Sequence, residues 1–242
     1  MSTIQQDPIL DCLQNGSLTV EGQFMWGSNY TFLAEVKHND QTLKAVYKPT
    51  QGEKPLWDFP TESLAGREVG AYFVSEALGW QLVPPTVLRT DGPAGLGSLQ
   101  LFIEHDPEYH YFNFSNEDRQ LLRPVALFDI IINNTDRKGS HVLVDEQGKF
   151  WLIDHGICFH ASPKLRTVIW DFAGQLLSEE DIQELQTFRK KLKPGSGLVE
   201  KLSEFLVEAE IQAMDTRINT LITQNRFPTP TNDYRSYPWP PV

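Results

Sequence analysis

The spacing of apolar residues changes midway along the 242-residue chain. In the first half, alternating apolar and polar residues predict five strands: two within 17–36, and one each over 43–48, 82–88 and 98–104. A helix that ends at Gly79 is predicted among these strands, over 61–78. A sheet-rich first half of this kind needs a second layer to cover it, which restricts the chain to a small set of mixed folds.

The second half has the longer spacing that is typical of amphipathic helices. We expect helices over 116–132, 178–192 and 198–225. A β-hairpin is predicted after the first of them, from short apolar runs at 141–144 and 150–153 that flank a Gln-Gly turn. The second half is therefore expected to be mainly helical.

These two halves predict an α+β, bilobal chain. We expect a sheet-rich N-lobe over 15–106, a helical C-lobe over 107–225 and a proline-rich tail over 226–242 that is either extended on the surface or disordered. Clefts between two lobes are common sites for ligands. The functional residues are therefore sought where the two lobes meet.

Composition and charge exclude several classes of protein. The formal net charge of −11 argues against a nucleic-acid-binding surface, because such surfaces are basic. No apolar run approaches the roughly 18 residues needed to cross a bilayer. The polar N-terminus does not resemble a signal peptide, and two cysteines do not form a disulfide framework. We therefore expect a cytoplasmic protein without nucleic-acid or membrane partners.

Two acidic residues stand out at the ends of the predicted hairpin. Asp136 lies on a polar loop after an apolar helix, and Asp154 directly follows the second hairpin strand. Because the hairpin folds back on itself, the two carboxylates are expected to lie close together. One carboxylate can accept the proton of an attacking hydroxyl, and the other can hold a divalent cation that neutralises phosphates. This pair therefore suits phosphoryl transfer.

The residues around the two acids resemble a known family. Asn-Thr-Asp-Arg at 134–137, His141 and Ile-Asp-His-Gly at 153–156 resemble the catalytic and metal loops of the phosphoinositide-kinase-like and HipA-like branch of the kinase superfamily. The resemblance covers about residues 15–190 and includes further segments at 47–49, 55–60, 67–69, 79–80, 83–86 and 104–107. It implies an atypical, protein-kinase-like bilobal fold that binds ATP with Mg²⁺ or Mn²⁺.

The resemblance also implies roles for single residues. Lys48 would pair with the ATP phosphates, and Glu68 on the following helix would hold that lysine. Asp136 would be the catalytic base, with Arg137 beside it, and Asp154 would be the metal ligand. Two more groups would bind the nucleotide: Gly27, Ser28 and Asn29 in a phosphate-covering loop over 22–29, and Glu104, His105 and Asp106 in the hinge that reads adenine. Glu62 and Glu76 remain alternatives to Glu68.

The chain departs from the kinase pattern at His141, five residues after Asp136, where kinases usually carry an asparagine. If His141 is the second metal ligand, its imidazole favours manganese over magnesium. An unperturbed histidine titrates near ~6.5, so activity is expected to fall on acidification through that region. The alternative is that His141 only packs beneath the loop or orients Asp154.

We therefore predict an ATP-dependent phosphotransferase acting on a protein hydroxyl or a small soluble alcohol. A nucleotide-binding pseudokinase and a nucleotidyl transferase on the same fold remain open alternatives. Asp-Phe-Ala-Gly at 171–174 matches a kinase metal motif by letters, but it lies too far along the chain from Asp136. Lys164 and Arg166 follow the metal loop, where they could contact an acidic substrate or simply be solvated.

Overall fold

The computed structural model describes residues 7–23, 30–231 and 235–242. The N-lobe is built on a five-stranded antiparallel sheet in the order β1-β2-β3-β5-β4. Its strands are β1 (Ser17–Gln23), β2 (Phe32–His38), β3 (Gln41–Pro49), β4 (Thr86–Gly92) and β5 (Gly95–Leu101). All five predicted strands are therefore present, with shifted ends.

Strand alternation explains how the sheet packs. Ala34 and Val36 of β2, and Ala45 and Tyr47 of β3, all point to one face and are fully buried. Helix α1 (Pro8–Asn15), which we did not predict, covers that face with Cys12 and Leu13. The two cysteines of the chain are free and buried. The N-lobe thus has a small core of its own.

Helix α2 (Leu64–Leu78) lies between β3 and β4 and carries the predicted Glu68. It begins three residues later than expected and ends as predicted at Gly79, whose φ is +80°. Glycine adopts this left-handed conformation without a steric penalty, which is why the helix ends there. Ten of its fifteen residues are buried, because both lobes pack against it.

The C-lobe is helical with a small hairpin, as predicted. Its elements are α3 (Asn116–Gln120), α4 (Arg123–Ile132), β6 (Val142–Val144), β7 (Phe150–Leu152), α5 (Glu179–Lys190), α6 (Gly197–Leu202) and α7 (Glu208–Gln224). Strands β6 and β7 pair antiparallel. None of the helices in the described part of the chain is long and apolar enough to span a membrane.

Two of the predicted C-lobe helices are each divided in two. The predicted single helix over 116–132 is wrong because a new helix, α4, begins at Arg123, with Pro124 in its first turn, where a missing N–H costs nothing. The predicted helix over 198–225 separates into α6 and α7, and Ser203 ends the first of them. The tail has no helix or strand in its described residues, but Phe227 and Ser236 are buried against the C-lobe.

Candidate active site

The predicted hairpin brings Asp136 and Asp154 to the same end of the C-lobe. Helix α4 ends at Asn133, whose φ of +52° turns the chain into residues 134–141, the predicted catalytic loop. Asn134 Oδ1 then accepts a hydrogen bond from the backbone N–H of Asp136 at 2.9 Å. On the other strand, Ile153 N–H donates to the carbonyl of His141 at 3.1 Å. The two loops are therefore joined by the ladder of the hairpin itself.

A cavity of about 360 Å³ lies between the lobes, and six of the nine predicted site residues that the structure describes line it. The residues that both lobes contribute to its wall include Val46, Lys48, Glu68, Leu101, Phe102, Ile103, His105, Asp136, His141, Leu143, Ile153 and Asp154. One part of this wall is apolar and the other is charged. The structure therefore brings together lysine, glutamate and both aspartates in one cleft.

Lys48 lies at the centre of the charged part. Its Nζ is 2.5 Å from Glu68 Oε1 and 3.0 Å from Asp154 Oδ1. Burial alone would lower the pKa of Lys48, but the two carboxylates outweigh burial and raise it above its ordinary value. Lys48 in turn holds the pKa of Asp154 well below the usual range. The alternatives Glu62 and Glu76 are exposed, so Glu68 is the partner of this lysine.

Arg137 does not line the cavity, among the residues described there, although we expected it beside the chemistry. Its guanidinium is fully buried and pairs with Asp129 at 3.0 Å. It also donates to the carbonyl of Ile153 at 2.8 Å and to Nε2 of His155 at 2.8 Å. Arg137 therefore connects the loop that carries Asp136 to the loop that carries Asp154 through buried contacts. In the sequence, the only indication of this buried ion pair was Asp129, a single acid within an apolar helix.

His155 extends the same connection to α2. Its backbone N–H donates to Glu68 Oε2 at 2.8 Å. Because Arg137 can only donate, Nε2 of His155 accepts, and the ring is fully buried. Burial lowers the pKa of His155, which keeps its ring neutral. A continuous chain of contacts thus runs from Arg137 through His155 and Glu68 to Lys48.

Burial has opposite effects on the pKa values of Asp136 and His141. Desolvation raises the pKa of Asp136 to about 6, although Lys138 Nζ at 3.7 Å from its Oδ2 opposes the change. Desolvation lowers the pKa of His141 to about 4, although Asp154 opposes it. The expectation that His141 titrates near 6.5 is therefore wrong. His141 Nε2 lies 3.4 Å from Asp154 Oδ2.

The predicted nucleotide-binding groups differ in where they lie. His105 lines the cavity, together with the neighbouring residues Phe102 and Ile103. Glu104 is turned to solvent and pairs with Lys44 at 2.9 Å. Asp106 accepts the backbone N–H of Glu108 and is not among the described lining residues. Gly27, Ser28 and Asn29 lie outside the residues that the structure describes.

Comparison with known sequences identifies the family to which the chain belongs. The sequence profile of the family described as phosphatidylinositol 3- and 4-kinase matches residues 62–201, which is more than half of the chain. This chain belongs to the phosphatidylinositol 3- and 4-kinase family. The resemblance predicted from the motifs is thereby confirmed.

Two known proteins are similar to this chain over different shares of their length. Protein Rv2133c of Mycobacterium tuberculosis is 39% identical over 94% of this chain and 93% of its own length. Phosphatidylinositol 4-kinase gamma 4 of Arabidopsis thaliana is 26% identical over 60% of this chain. The match covers only 33% of the plant protein. This chain therefore matches only a part of that longer kinase.

The fold of this family member is also found in a distant kinase. The Golgi casein kinase with Mn/ADP bound superimposes with a TM-score of 0.55 and 15% identity, over 97% of this chain and 80% of that one. At an identity this low, the similarity shows only that the two proteins share a fold. The predicted bilobal, α+β kinase-like fold is confirmed.

The loop between β3 and α2 contributes residues that the sequence did not reveal. Glu53, Lys54 and Leu56 line the cavity of this kinase-family chain. Glu53 Oε1 accepts the backbone N–H of Ala65 at 3.0 Å, so it fixes the start of α2. Leu56 lies in the segment 55–60 that carried the family resemblance, but no motif indicated Glu53 or Lys54, because the loop has no periodic pattern.

The same loop crosses to the C-lobe. Asp58 forms a short ion pair with Lys164, whose Nζ lies 4.8 Å from the ring centre of Trp57. Phe59 meets the ring of His160 edge-on, with 5.4 Å between the centroids. Lys164, which we had considered for an acidic substrate, is therefore engaged within the chain.

The Asp-Phe-Ala-Gly motif at 171–174 has a structural role. Asp171 Oδ2 accepts a hydrogen bond from the hydroxyl of Tyr111 at 2.7 Å. Phe172 is buried against Phe227. None of the four is among the described residues of the cavity wall, as expected from the distance of the motif from Asp136.

Proposed function

We propose that the chain is an ATP-dependent phosphotransferase with Asp136 as its catalytic base and Asp154 as its metal ligand. One observation carries the proposal: Lys48, Glu68, Asp136 and Asp154 converge on a single cleft between the lobes. Phosphoryl transfer depends mainly on positioning and charge neutralisation, and these groups can supply both.

The cavity suits the two ends of ATP. Apolar side chains, including Val46, Leu101 and Leu143, can enclose a base, and His105 of the predicted hinge, residues 104–106, lines the same cavity. Lys48 lies at the charged end, where phosphates would replace Asp154 as one of its partners. The volume of about 360 Å³ lies within the range of small-molecule sites.

The charged end also suits a divalent cation. Among the residues that the structure describes, no three His, Cys, Asp or Glu side chains form a metal site of their own. Mg²⁺ typically binds through one or two carboxylates together with phosphates and water. Asp154 would hold the cation, with His141 beside it, and the cation would neutralise the charge on the phosphates.

Each of these residues has its own role in the proposed reaction. The oxygen of the acceptor hydroxyl attacks the terminal phosphorus of ATP, and the bond from that phosphorus to the ADP oxygen breaks. Asp136 accepts the hydroxyl proton, which suits a carboxylate whose pKa is raised to about 6. Lys48 stabilises the negative charge on the phosphates, and Glu68 keeps Lys48 in place.

We place the acceptor among protein hydroxyls and small soluble alcohols. The names of the plant relatives refer to a lipid substrate, but the match covers only a third of such a protein, so its substrate does not transfer with the fold. We place the protein in the cytoplasm, since its free, buried cysteines suit a reducing compartment.

Incubation with ATP labelled separately at the α- and γ-phosphates tests the proposal. We expect the γ-label, and not the α-label, to reach the chain itself or an added acceptor in the presence of Mg²⁺ or Mn²⁺. Asp136→Asn, which keeps the size of the side chain, is the matched control and should transfer the γ-label at least about a hundredfold more slowly. Transfer of the α-label would instead identify a nucleotidyl transferase.

A second candidate function is a nucleotide-binding pseudokinase, which His141 favours. Its ring is partly buried next to Asp154, where kinases usually place an asparagine oxygen. The same experiment separates the two candidates. Saturable ATP binding with no transfer of either label, in both metals, would favour the pseudokinase.

A further inference from the structure

The chain after α7 is anchored to the C-lobe at Phe227. This residue is 2% exposed, and its ring lies 5.6 Å from that of Phe172. The guanidinium of Arg123 lies 4.8 Å from the centre of the same ring. Phe227 N–H donates to the carbonyl of Gln175 at 2.9 Å. The tail is therefore fixed where it begins.

Residues 235–242, here called the C-terminal strap, lie against the catalytic side of the C-lobe. Ser236 is 5% exposed. Its carbonyl accepts hydrogen bonds from Thr167 N–H at 3.2 Å and from Trp170 Nε1 at 3.3 Å. Tyr237 meets the ring of Trp170 edge-on. The strap is thus held by its backbone as well as by its side chains.

Thr167 belongs to a segment that is bonded to the catalytic loop on its other side. Arg166 N–H donates to the carbonyl of Asn134 at 2.9 Å, and Arg137 N–H donates to the carbonyl of Arg166 at 3.0 Å. Asp136 lies in the sequence between Asn134 and Arg137, the two loop residues that form these bonds. The segment therefore lies between the strap and the loop that carries the candidate base.

The strap also bonds to the catalytic loop directly. Gly139 N–H donates to the carbonyl of Pro241 at 2.8 Å. A side chain at position 139 would place its Cβ 2.8 Å from the ring of Phe112, so glycine is needed for this close packing. Asp136 therefore lies between two attachments, one through Arg166 and one at Gly139.

We propose that the C-terminal strap is a positioning element that holds Asp136 in place for proton transfer. This role rests on the proposed function, because the position of Asp136 affects turnover only if the chain transfers phosphate. Residues 134–138 lie outside the helices and strands, so hydrogen bonds from neighbouring segments fix them. A misplacement of about 1 Å in a reacting group can reduce a rate by about a hundredfold.

Two variants separate the contacts of the strap. A chain shortened by four residues, ending at Pro238, loses the Pro241 carbonyl and keeps Ser236. The matched control, Trp239→Ala, removes an exposed side chain of the strap and leaves the backbone bonds intact. Melting temperature and nucleotide affinity are measured for both, so that a general loss of folding is detected.

The first measurement is hydrogen exchange at the amides of residues 134–141, without nucleotide. A backbone hydrogen bond contributes about 0.5–1.5 kcal/mol, so its loss is expected to speed exchange up to about tenfold. We expect this in the shortened chain and not in Trp239→Ala. Equal exchange in the shortened and intact chains would overturn the proposal.

The second measurement is transfer of the γ-label. We expect turnover to fall about tenfold in the shortened chain while its affinity for ATP changes less than twofold, which corresponds to a barrier raised by about 1.4 kcal/mol. Faster exchange with unchanged turnover per bound ATP would overturn the positioning role. If the intact chain transfers no phosphate, the proposed function fails, while the exchange comparison still supports or overturns the attachment of the strap.

Discussion

At the scale of single residues, Asp154 combines an unusual backbone conformation with contacts to a charged lysine and a neutral histidine. Its φ of +63° lies in the left-handed region, which aspartate visits more often than most residues but which still carries strain. In this conformation one carboxylate oxygen faces Lys48 and the other faces His141. Asp136, on the loop over 134–141, lines the same cavity without a positive φ. This difference suits the different roles proposed for the two acids.

These roles predict different losses on substitution. Asp154→Asn should weaken ATP affinity in the presence of Mg²⁺ at least about tenfold, because the cation loses a charged ligand. Asp136→Asn should lower turnover by about a hundredfold or more, as expected for a lost general base, and leave ATP affinity within about twofold. Calorimetry and single-turnover labelling measure the two effects. Equal losses of affinity in both variants would contradict the assignment.

The two perturbed pKa values predict the pH dependence. Asp136 acts as a base only when it is ionised, so kcat/KM should be full above its pKa of about 6 and fall as the pH drops below it. His141 stays neutral until about 4, so it does not contribute to that decline. A pH profile of kcat/KM in Mg²⁺ checks this. His141→Asn should keep the same acid limb, and its disappearance in that variant would show that His141 is the titrating group.

At the scale of elements, the sequence revealed regular patterns better than interruptions. The five strands followed from their alternation, and Lys48, Asp136 and Asp154 followed from the motifs around them. The divisions between α3 and α4 and between α6 and α7 depend on single residues at the helix ends, such as Pro124 and Ser203, within an otherwise continuous apolar pattern. The burial of Arg137 and the docking of the strap depend on contacts between distant segments, which no local pattern encodes.

Helix α2 contains two glycines that predict opposite effects of one substitution. At Gly70 an added Cβ would meet its neighbours at 3.5–3.9 Å, which is ordinary contact, so Gly70→Ala should stabilise the protein by about 0.5–1 kcal/mol. At Gly66 the Cβ would lie 2.9 Å from Phe205, so Gly66→Ala should destabilise it. Urea unfolding measures both. A destabilised Gly70→Ala protein would contradict the prediction.

At the scale of the whole molecule, α2 joins the two lobes. Arg67 of this helix is 1% exposed and donates to Glu210 of α7 at 2.7 Å and to the carbonyl of Cys158 at 2.7 Å. One residue along the helix, Glu68 holds Lys48 in the cleft. The position of the candidate catalytic lysine is therefore linked to the packing of the C-lobe.

This link predicts a large cost when Arg67 is removed. Arg67→Ala leaves Glu210 buried without its partner and should destabilise the protein by about 3–5 kcal/mol. The matched control is Arg189→Ala, which breaks the more exposed pair with Asp215 and should cost less than about 1 kcal/mol. Urea unfolding compares the two variants. Similar costs would show that the inter-lobe pair contributes little to stability.

The anchoring of α2 also bears on the design of inhibitors. A compound that wedges itself behind Lys48 would have to displace Glu68 and pull Arg67 away from Glu210 at the same time. The cost of breaking the buried Arg67–Glu210 ion pair would offset the binding free energy of a drug-sized compound. Chemical selectivity is better sought at the mouth of the cleft, where Leu56 and Tyr30 offer apolar surface that is open to solvent.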